Sequence, residues 1–210
     1  MAACVCSFDM TKDKNHKHKM RMQNLKQRVD EGIAAAREER GICILLTGDG
    51  KGKSSSAFGM VMRSLGYGHK VGIVQFIKGE QLSGEEIFIR EKYPDIPFFQ
   101  MGTGFTWDTQ DRETDMQAAL QTWNEAERLL QNSKIDLVVL DELTYMFAFD
   151  YLDKAEVIKA IVNRPVQQSV IITGRGGGTE LRDIADTIAE IRNIKHAYDL
   201  GIRAQKGVDF

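Results

Sequence analysis

From Gly41 onward the chain alternates short continuous apolar runs with stretches whose apolar residues recur every three or four positions. The runs occupy residues 42–46, 71–77, 98–101, 137–140 and 170–173. Apolar residues at every position, rather than every second one, predict strands buried on both faces. Strands separated by helical stretches predict a mostly parallel sheet with helices on either side. The expected architecture of residues 41–210 is therefore a single three-layer α/β domain. Ahead of it, Met22, Leu25, Val29 and Ile33 recur at three- and four-residue steps. That spacing predicts a helix over residues 20–40 with one apolar face, packed on the main body, on another subunit or over a ligand site, between which spacing does not choose. Residues 11–28 carry seven Lys or Arg against one Asp, which reads as a solvated basic arm. Residues 1–40 thus form an N-terminal arm and helix.

Composition narrows the class. An apolar fraction of 42% with 28% charged residues is that of a folded globular chain, neither disordered nor membrane-embedded. No apolar run approaches the about 20 residues that span a bilayer, so no membrane association is expected. With 28 Lys and Arg against 30 Asp and Glu, the net charge of −2 counts against a nucleic-acid partner. Three cysteines, Cys4, Cys6 and Cys43, form no disulfide framework and point to a reducing, cytoplasmic setting. The start shows no secretory leader, and Cys4, Cys6, His16 and His18 read as part of a polar terminus.

The strongest chemical signal is the run Thr47-Gly-Asp-Gly-Lys-Gly-Lys-Ser54, placed between an apolar strand and a helix. Gly48, Gly50 and Gly52 let the backbone turn its N–H groups into a concave nest for phosphate. The helix that follows offers unpaired N–H groups and about +0.5 of a charge at its N-terminus. Lys53 is placed to set an ammonium on phosphate oxygens, and the Ser54 hydroxyl to ligate Mg²⁺. Thr47 stands where the common phosphate-loop pattern has its first glycine. A second strand, residues 137–140, delivers Asp141 and Glu142 to the sheet's C-terminal edge, where ligands of open α/β sheets sit. A carboxylate there holds Mg²⁺ against the phosphates, directly or through water. Mg²⁺–nucleoside triphosphate binding follows from these two strand ends; the reaction does not, because phosphate loops serve many chemistries.

Three further stretches go beyond the generic reading: Val71-Gly-Ile-Val-Gln-Phe-Ile-Lys-Gly79, Gly104-Phe-Thr-Trp107 and Val138-Val-Leu-Asp-Glu-Leu-Thr-Tyr-Met146. With the loop at 47–54 and Ile171-Ile-Thr-Gly-Arg-Gly176, they make the chain closely resemble the ATP:corrinoid adenosyltransferases of the phosphate-binding-loop type. The resemblance runs from about residue 20 to the C-terminus and accounts for Thr47, since that family's loop begins Thr-Gly-x-Gly-Lys-Gly-Lys. Ser54-Ser55 stands where the family commonly has Thr-Thr, which keeps the hydroxyl and loses a methyl.

The resemblance implies a RecA-like phosphate-loop fold. It also implies transfer of the 5′-deoxyadenosyl group of ATP to the cobalt of cob(I)alamin or a precursor corrinoid, with release of inorganic triphosphate. By position, Gly48, Asp49, Gly50, Lys51, Gly52, Lys53 and Ser54 would bind ATP, while Ser54 and Glu142 would hold Mg²⁺ with Asp141 close by. Phe105 and Trp107 would lie against the lower face of the corrin and keep an axial base from cobalt, which eases the Co(II)/Co(I) step. Spacing alone favours a core role for both rings. Lys53, Phe105 and Trp107 are thus the expected catalytic residues. The family pattern also implies a homodimer and a flavoprotein electron donor. The competing reading from the phosphate motifs is an ATPase or nucleotide-switched regulatory module, which gives Phe105 and Trp107 no task. His69 and His196, without partners at ligand spacing, read as structural, and Arg175 divides evenly between a ligand and a surface role.

Overall fold

Val138 and Leu140 pack in one apolar cluster with Trp123, Leu130 and Ile172, whereas Leu137 and Val139 pack in another with Phe58, Val61 and Ile171. Side chains alternate faces along a strand, so an apolar residue at every position demands a helical layer on each side. The computed structural model, which describes residues 6–77, 82–102, 111–176 and 178–210, has these three layers. The strands are β1 (Cys43–Thr47), β2 (Val71–Gln75), β3 (Phe98–Gln100), β4 (Leu137–Asp141), β5 (Ser169–Thr173) and β6 (Thr187–Glu190). They form one sheet in the order β3-β2-β4-β5-β1-β6, with every pairing parallel.

The helices are α1 (Cys6–Ala35), α2 (Lys53–Gly66), α3 (Gly84–Lys92), α4 (Arg112–Gln131), α5 (Thr144–Ala148), α6 (Lys154–Val162) and α7 (Gly178–Ile184). Ala57, Phe58 and Val61 of α2 cover one face of the sheet. Ala119, Trp123, Ala126 and Leu130 of α4, with Val157 and Ile161 of α6, cover the other. The strand order inserts β5 between β1, which leads into the glycine loop, and β4, which ends on Asp141. That insertion is the RecA-like form of the phosphate-loop fold, as the resemblance implied.

Two features differ from the sequence expectation. The sheet has a sixth strand, β6, whose four residues are all exposed and therefore carry no apolar run. Asp186 fastens its start. Its N–H donates to the Cys43 carbonyl (2.9 Å), its Oδ2 accepts from the Cys43 N–H (2.8 Å), and its Oδ1 pairs with Arg40 Nη2 (2.6 Å). The second difference is in α1, which begins at Cys6 rather than near Met20 and ends at Ala35. Residues 11–28 lack glycine and proline and are rich in Lys, Gln, Met and Arg, all good helix formers, so the basic arm is helical without an apolar period to announce it. The chain separates into two compact units between Glu39 and Arg40. Within the first, Met22, Leu25, Val29 and Ile33 are 40–67% exposed. Among the described residues, no helix is long and apolar enough to cross a membrane.

Candidate active site

β1 ends on the buried Thr47, and the chain then turns through Gly48 (φ 99°) and Gly52 (φ 123°) into α2. Both angles lie in the left-handed region that only glycine enters freely. The loop is held from behind by the residues after β6: Ile191 N–H donates to the Thr47 carbonyl (2.8 Å), and Gly50 N–H donates to the Ile191 carbonyl (2.7 Å). A Cβ on Gly48 would overlap the Ile191 carbonyl oxygen, and one on Gly50 would lie 2.7 Å from it, so both positions need glycine for close backbone approach. Gly52 caps α2 without any side-chain hydrogen bond, which leaves the first N–H groups of the helix for an anion.

Lys53 is 7% exposed, and its Nζ donates to the Gly50 carbonyl (2.8 Å). Burial pushes its pKa down from 10.5; Glu142, Asp49 and Asp141 push it back up, and Arg175 reinforces the decrease. The ammonium is thus partly desolvated, and further negative charge favours its protonated form. Lys51 is exposed and pairs with Asp209 near the C-terminus (2.9 Å). That contact holds the Asp209 carboxyl below its usual pKa of 3.8.

The loop borders a cavity of about 1110 Å³. Asp49, Gly50, Lys51, Gly52, Lys53, Ser54 and Glu142 all line it. Phe58 and Met62 of α2, and Phe88 and Ile89 of α3, give it an apolar wall. The chain after β6 supplies a further wall, with Asn193, His196, Tyr198, Asp209 and Phe210. Sequence reasoning found the loop and the acid but not this wall, because residues 191–210 have neither an apolar period nor a recognisable motif. His196 thus faces the cavity, where its Nδ1 accepts from the Tyr198 N–H (3.1 Å), and Arg175 is another lining residue.

Asp141 and Glu142 are adjacent in sequence but differ in position. Asp141 is 2% exposed and sits within the sheet edge, its Oδ1 accepting from Thr173 Oγ1 (2.6 Å) and its Oδ2 from Gln75 Nε2 (2.8 Å). Glu142 turns out to the cavity with a left-handed backbone (φ 59°), and its N–H donates to Thr173 Oγ1 (3.0 Å). Gly174 follows, with φ 141°; a Cβ there would overlap Thr144 Oγ1 and lie 3.2 Å from Glu142 Oε2. The absent side chain leaves room for the Glu142 carboxylate and for the Thr144 hydroxyl, which donates to the Arg175 carbonyl (2.8 Å). Tyr145 lies close enough to feel the same charges: its phenol pKa is raised first by burial and then by Glu142.

Phe105 and Trp107 fall in residues 103–110, outside the described residues. The flanks are defined. Met101 is buried after β3, and Asp111 caps α4 by accepting from the Glu113 and Thr114 N–H groups (3.1 and 3.3 Å).

Residues 39–210 match the family model described as ATP:corrinoid adenosyltransferase BtuR/CobO/CobP. The chain belongs to that family. A corrinoid adenosyltransferase of Escherichia coli K12 is 48% identical over 196 residues, covering 93% of this chain and 99% of the relative. Another from Pseudomonas aeruginosa is 48% identical over 198 residues (94% and 98%), and one from a Sinorhizobium species is 38% identical over 196 residues (92% of each). Family membership covers the phosphate loop, the β4 carboxylates, the stretch with Phe105 and Trp107, and the chain after β6 that closes the cavity.

Proposed function

We propose that this chain is an ATP-dependent transferase that moves the 5′-deoxyadenosyl group of ATP to the cobalt of a reduced corrinoid and releases inorganic triphosphate. The observation that carries this reading is a phosphate loop and a strand-end carboxylate bordering one large cavity in a member of the corrinoid adenosyltransferase family.

The reaction is a displacement at carbon. The cobalt–carbon bond forms with an electron pair from Co(I), the bond from C5′ to its oxygen breaks, and the triphosphate keeps that bond's electrons. No proton is removed from the nucleophile, so no general base is required. The residues act by binding and positioning, which must bring cobalt and C5′ to about 3–3.5 Å in line. The N–H groups of the loop from Gly48 to Ser54, apart from that of Gly50, which donates to the Ile191 carbonyl, and the Lys53 ammonium face the leaving group and stabilise its developing charge. Lys51 reaches the same oxygens once it leaves Asp209. We place the triphosphate so that the sugar carbon, and not the terminal phosphorus, faces the acceptor.

A magnesium ion fits this site by its donor set: the Ser54 hydroxyl and Glu142 carboxylate border one cavity, and hard oxygen donors suit that cation. When bound, it would neutralise charge on the triphosphate. Ser54 and Glu142 are its holders in this reading, with Asp141 in support. Phe105 and Trp107 are assigned to the lower face of the corrin, where they exclude an axial base from cobalt. The acceptor is cob(I)alamin or a precursor corrinoid, and a flavoprotein is the proposed electron donor. We further read the protein as a cytoplasmic homodimer, for which the exposed stripe Met22, Leu25, Val29 and Ile33 offers an apolar face.

Anaerobic incubation with Mg-ATP and chemically reduced cobalamin tests the activity. Formation of a light-sensitive adenosylated corrinoid together with inorganic triphosphate is the expected result. ADP and phosphate without a corrinoid product would contradict it and restore the ATPase reading.

A further inference from the structure

The last residues of β3, β2 and β4 stand in register, Gln100 beside Gln75 and Gln75 beside Asp141. All three are polar at the ends of strands that are otherwise mostly apolar. Gln75 and Asp141 are buried, a costly arrangement unless every polar group is paired. They are paired in one continuous chain. Arg90 Nε donates to Glu86 Oε1 (2.8 Å), and Gln100 Nε2 donates to both Glu86 Oε2 (2.6 Å) and Gln75 Oε1 (2.9 Å). Gln75 Nε2 then donates to Asp141 Oδ2, Thr173 Oγ1 donates to Asp141 Oδ1, and the Glu142 N–H donates to Thr173 Oγ1.

The polarity of the chain is fixed. A carboxylate at each end, Glu86 and Asp141, accepts only, so both amides must point their NH₂ groups outward toward the acids. Turning Gln75 over would set its oxygen against Asp141 and its nitrogen against Gln100. Turning Gln100 over would set its oxygen against both Glu86 and Gln75. Thr173 is constrained in the same way. Its one proton goes to Asp141, which leaves a lone pair for the Glu142 N–H. That bond holds Glu142 at φ 59°, a region a non-glycine residue keeps only when its surroundings determine it. Asp141 itself does not line the cavity.

We propose that Gln75, Gln100 and Glu86 are positioning residues for the transfer, acting through Asp141 and Thr173 to fix the backbone from which Glu142 enters the cavity. The proposal rests on the reading of Glu142 as a metal-holding carboxylate. It assigns Asp141 the task of anchoring Thr173 rather than ligating the metal. It also ties Glu142 to α3, which carries Glu86 and contributes Phe88 and Ile89 to the cavity wall. Gln100, which links Glu86 to Gln75, precedes the 103–110 stretch in sequence.

The test uses Gln75→Met, Gln100→Met, Thr173→Val and Thr173→Ser in the full-length protein. Three quantities are measured: the melting temperature, hydrogen exchange at the Glu142 amide in nucleotide-free protein, and the magnesium dependence of ATP binding and turnover. For Gln75→Met and Thr173→Val the expected result is faster Glu142 exchange and an about 10–100-fold higher magnesium requirement, the range typical of groups that orient metal ligands. Gln100→Met, more exposed and less disruptive to folding, should shift both readouts in the same direction, and Thr173→Ser should restore both. Folded variants with unchanged Glu142 exchange and magnesium dependence would overturn the proposal. Glu142→Gln tests the parent reading separately: an unchanged magnesium requirement there would contradict the metal role itself, while the exchange measurement still decides whether the chain holds the backbone.

Discussion

Lys53 is a buried cation whose neighbours include Glu142, Asp49 and Asp141, and whose Nζ is lent to the Gly50 carbonyl. That bond ties α2 back to the loop, and in the proposed reading the ammonium meets triphosphate oxygens. Removing it should affect chemistry far more than folding. Lys53→Ala should lower kcat/KM by about 10²–10³-fold, the usual cost of losing one donor to developing charge. Its melting temperature should shift by no more than about 5 °C. Near-normal turnover in this variant would remove the loop lysine from the mechanism.

At the scale of elements, the start of β6 and the stretch after β3 make separate predictions. Asp186 ties β6 to β1 through the Cys43 backbone and Arg40, and its pKa is lowered from 3.8 to about 2, chiefly by the hydrogen bonds from Arg40 and then from the Cys43 N–H. A depressed folded pKa contributes stability that is fully present above the unfolded value and lost as pH falls through the folded one. Asp186→Asn should therefore destabilise the fold by about 1–2 kcal/mol at neutral pH, allowing for partial solvent screening. The difference should shrink between about pH 4 and pH 2 and vanish below that. Chemical denaturation of both proteins across that range checks it, and a gap independent of pH would show that Asp186 contributes packing rather than charge. In the second stretch, Trp107→Ala should slow the reaction started from Co(II) far more than the one started from pre-formed Co(I). Equal losses in the two assays would make Trp107 a packing residue.

Across the whole molecule, the sequence exposed whatever repeats or clusters. Apolar runs marked five of the six strands, because the buried sheet confines polar residues such as Gln75, Gln100 and Asp141 to strand ends. Glycines and lysines packed into residues 48–53 marked the phosphate site. The features it concealed are those made by long-range contact. β6 is an exposed edge strand whose pairing with β1 is fixed by Asp186 and by the Ile191 backbone, not by its own composition. The wall carrying Asn193, His196, Tyr198 and Phe210 joins the site through irregular chain, and nothing in the spacing of His196 foretold its place there. Asp141 and Glu142 look equivalent in sequence, and only the left-handed turn at Glu142 sends one carboxylate outward while its neighbour stays in the sheet edge.

Adenosyl transfer, rather than phosphoryl transfer, depends on the direction in which ATP lies in the loop. A crystal structure of the protein with Mg-ATP and a corrinoid addresses it directly. The triphosphate should occupy the amide nest of residues 48–54, with the 5′ carbon of the ribose facing the cobalt-bearing side of the cavity. Finding the γ-phosphorus pointed there, and the sugar turned away, would contradict the account.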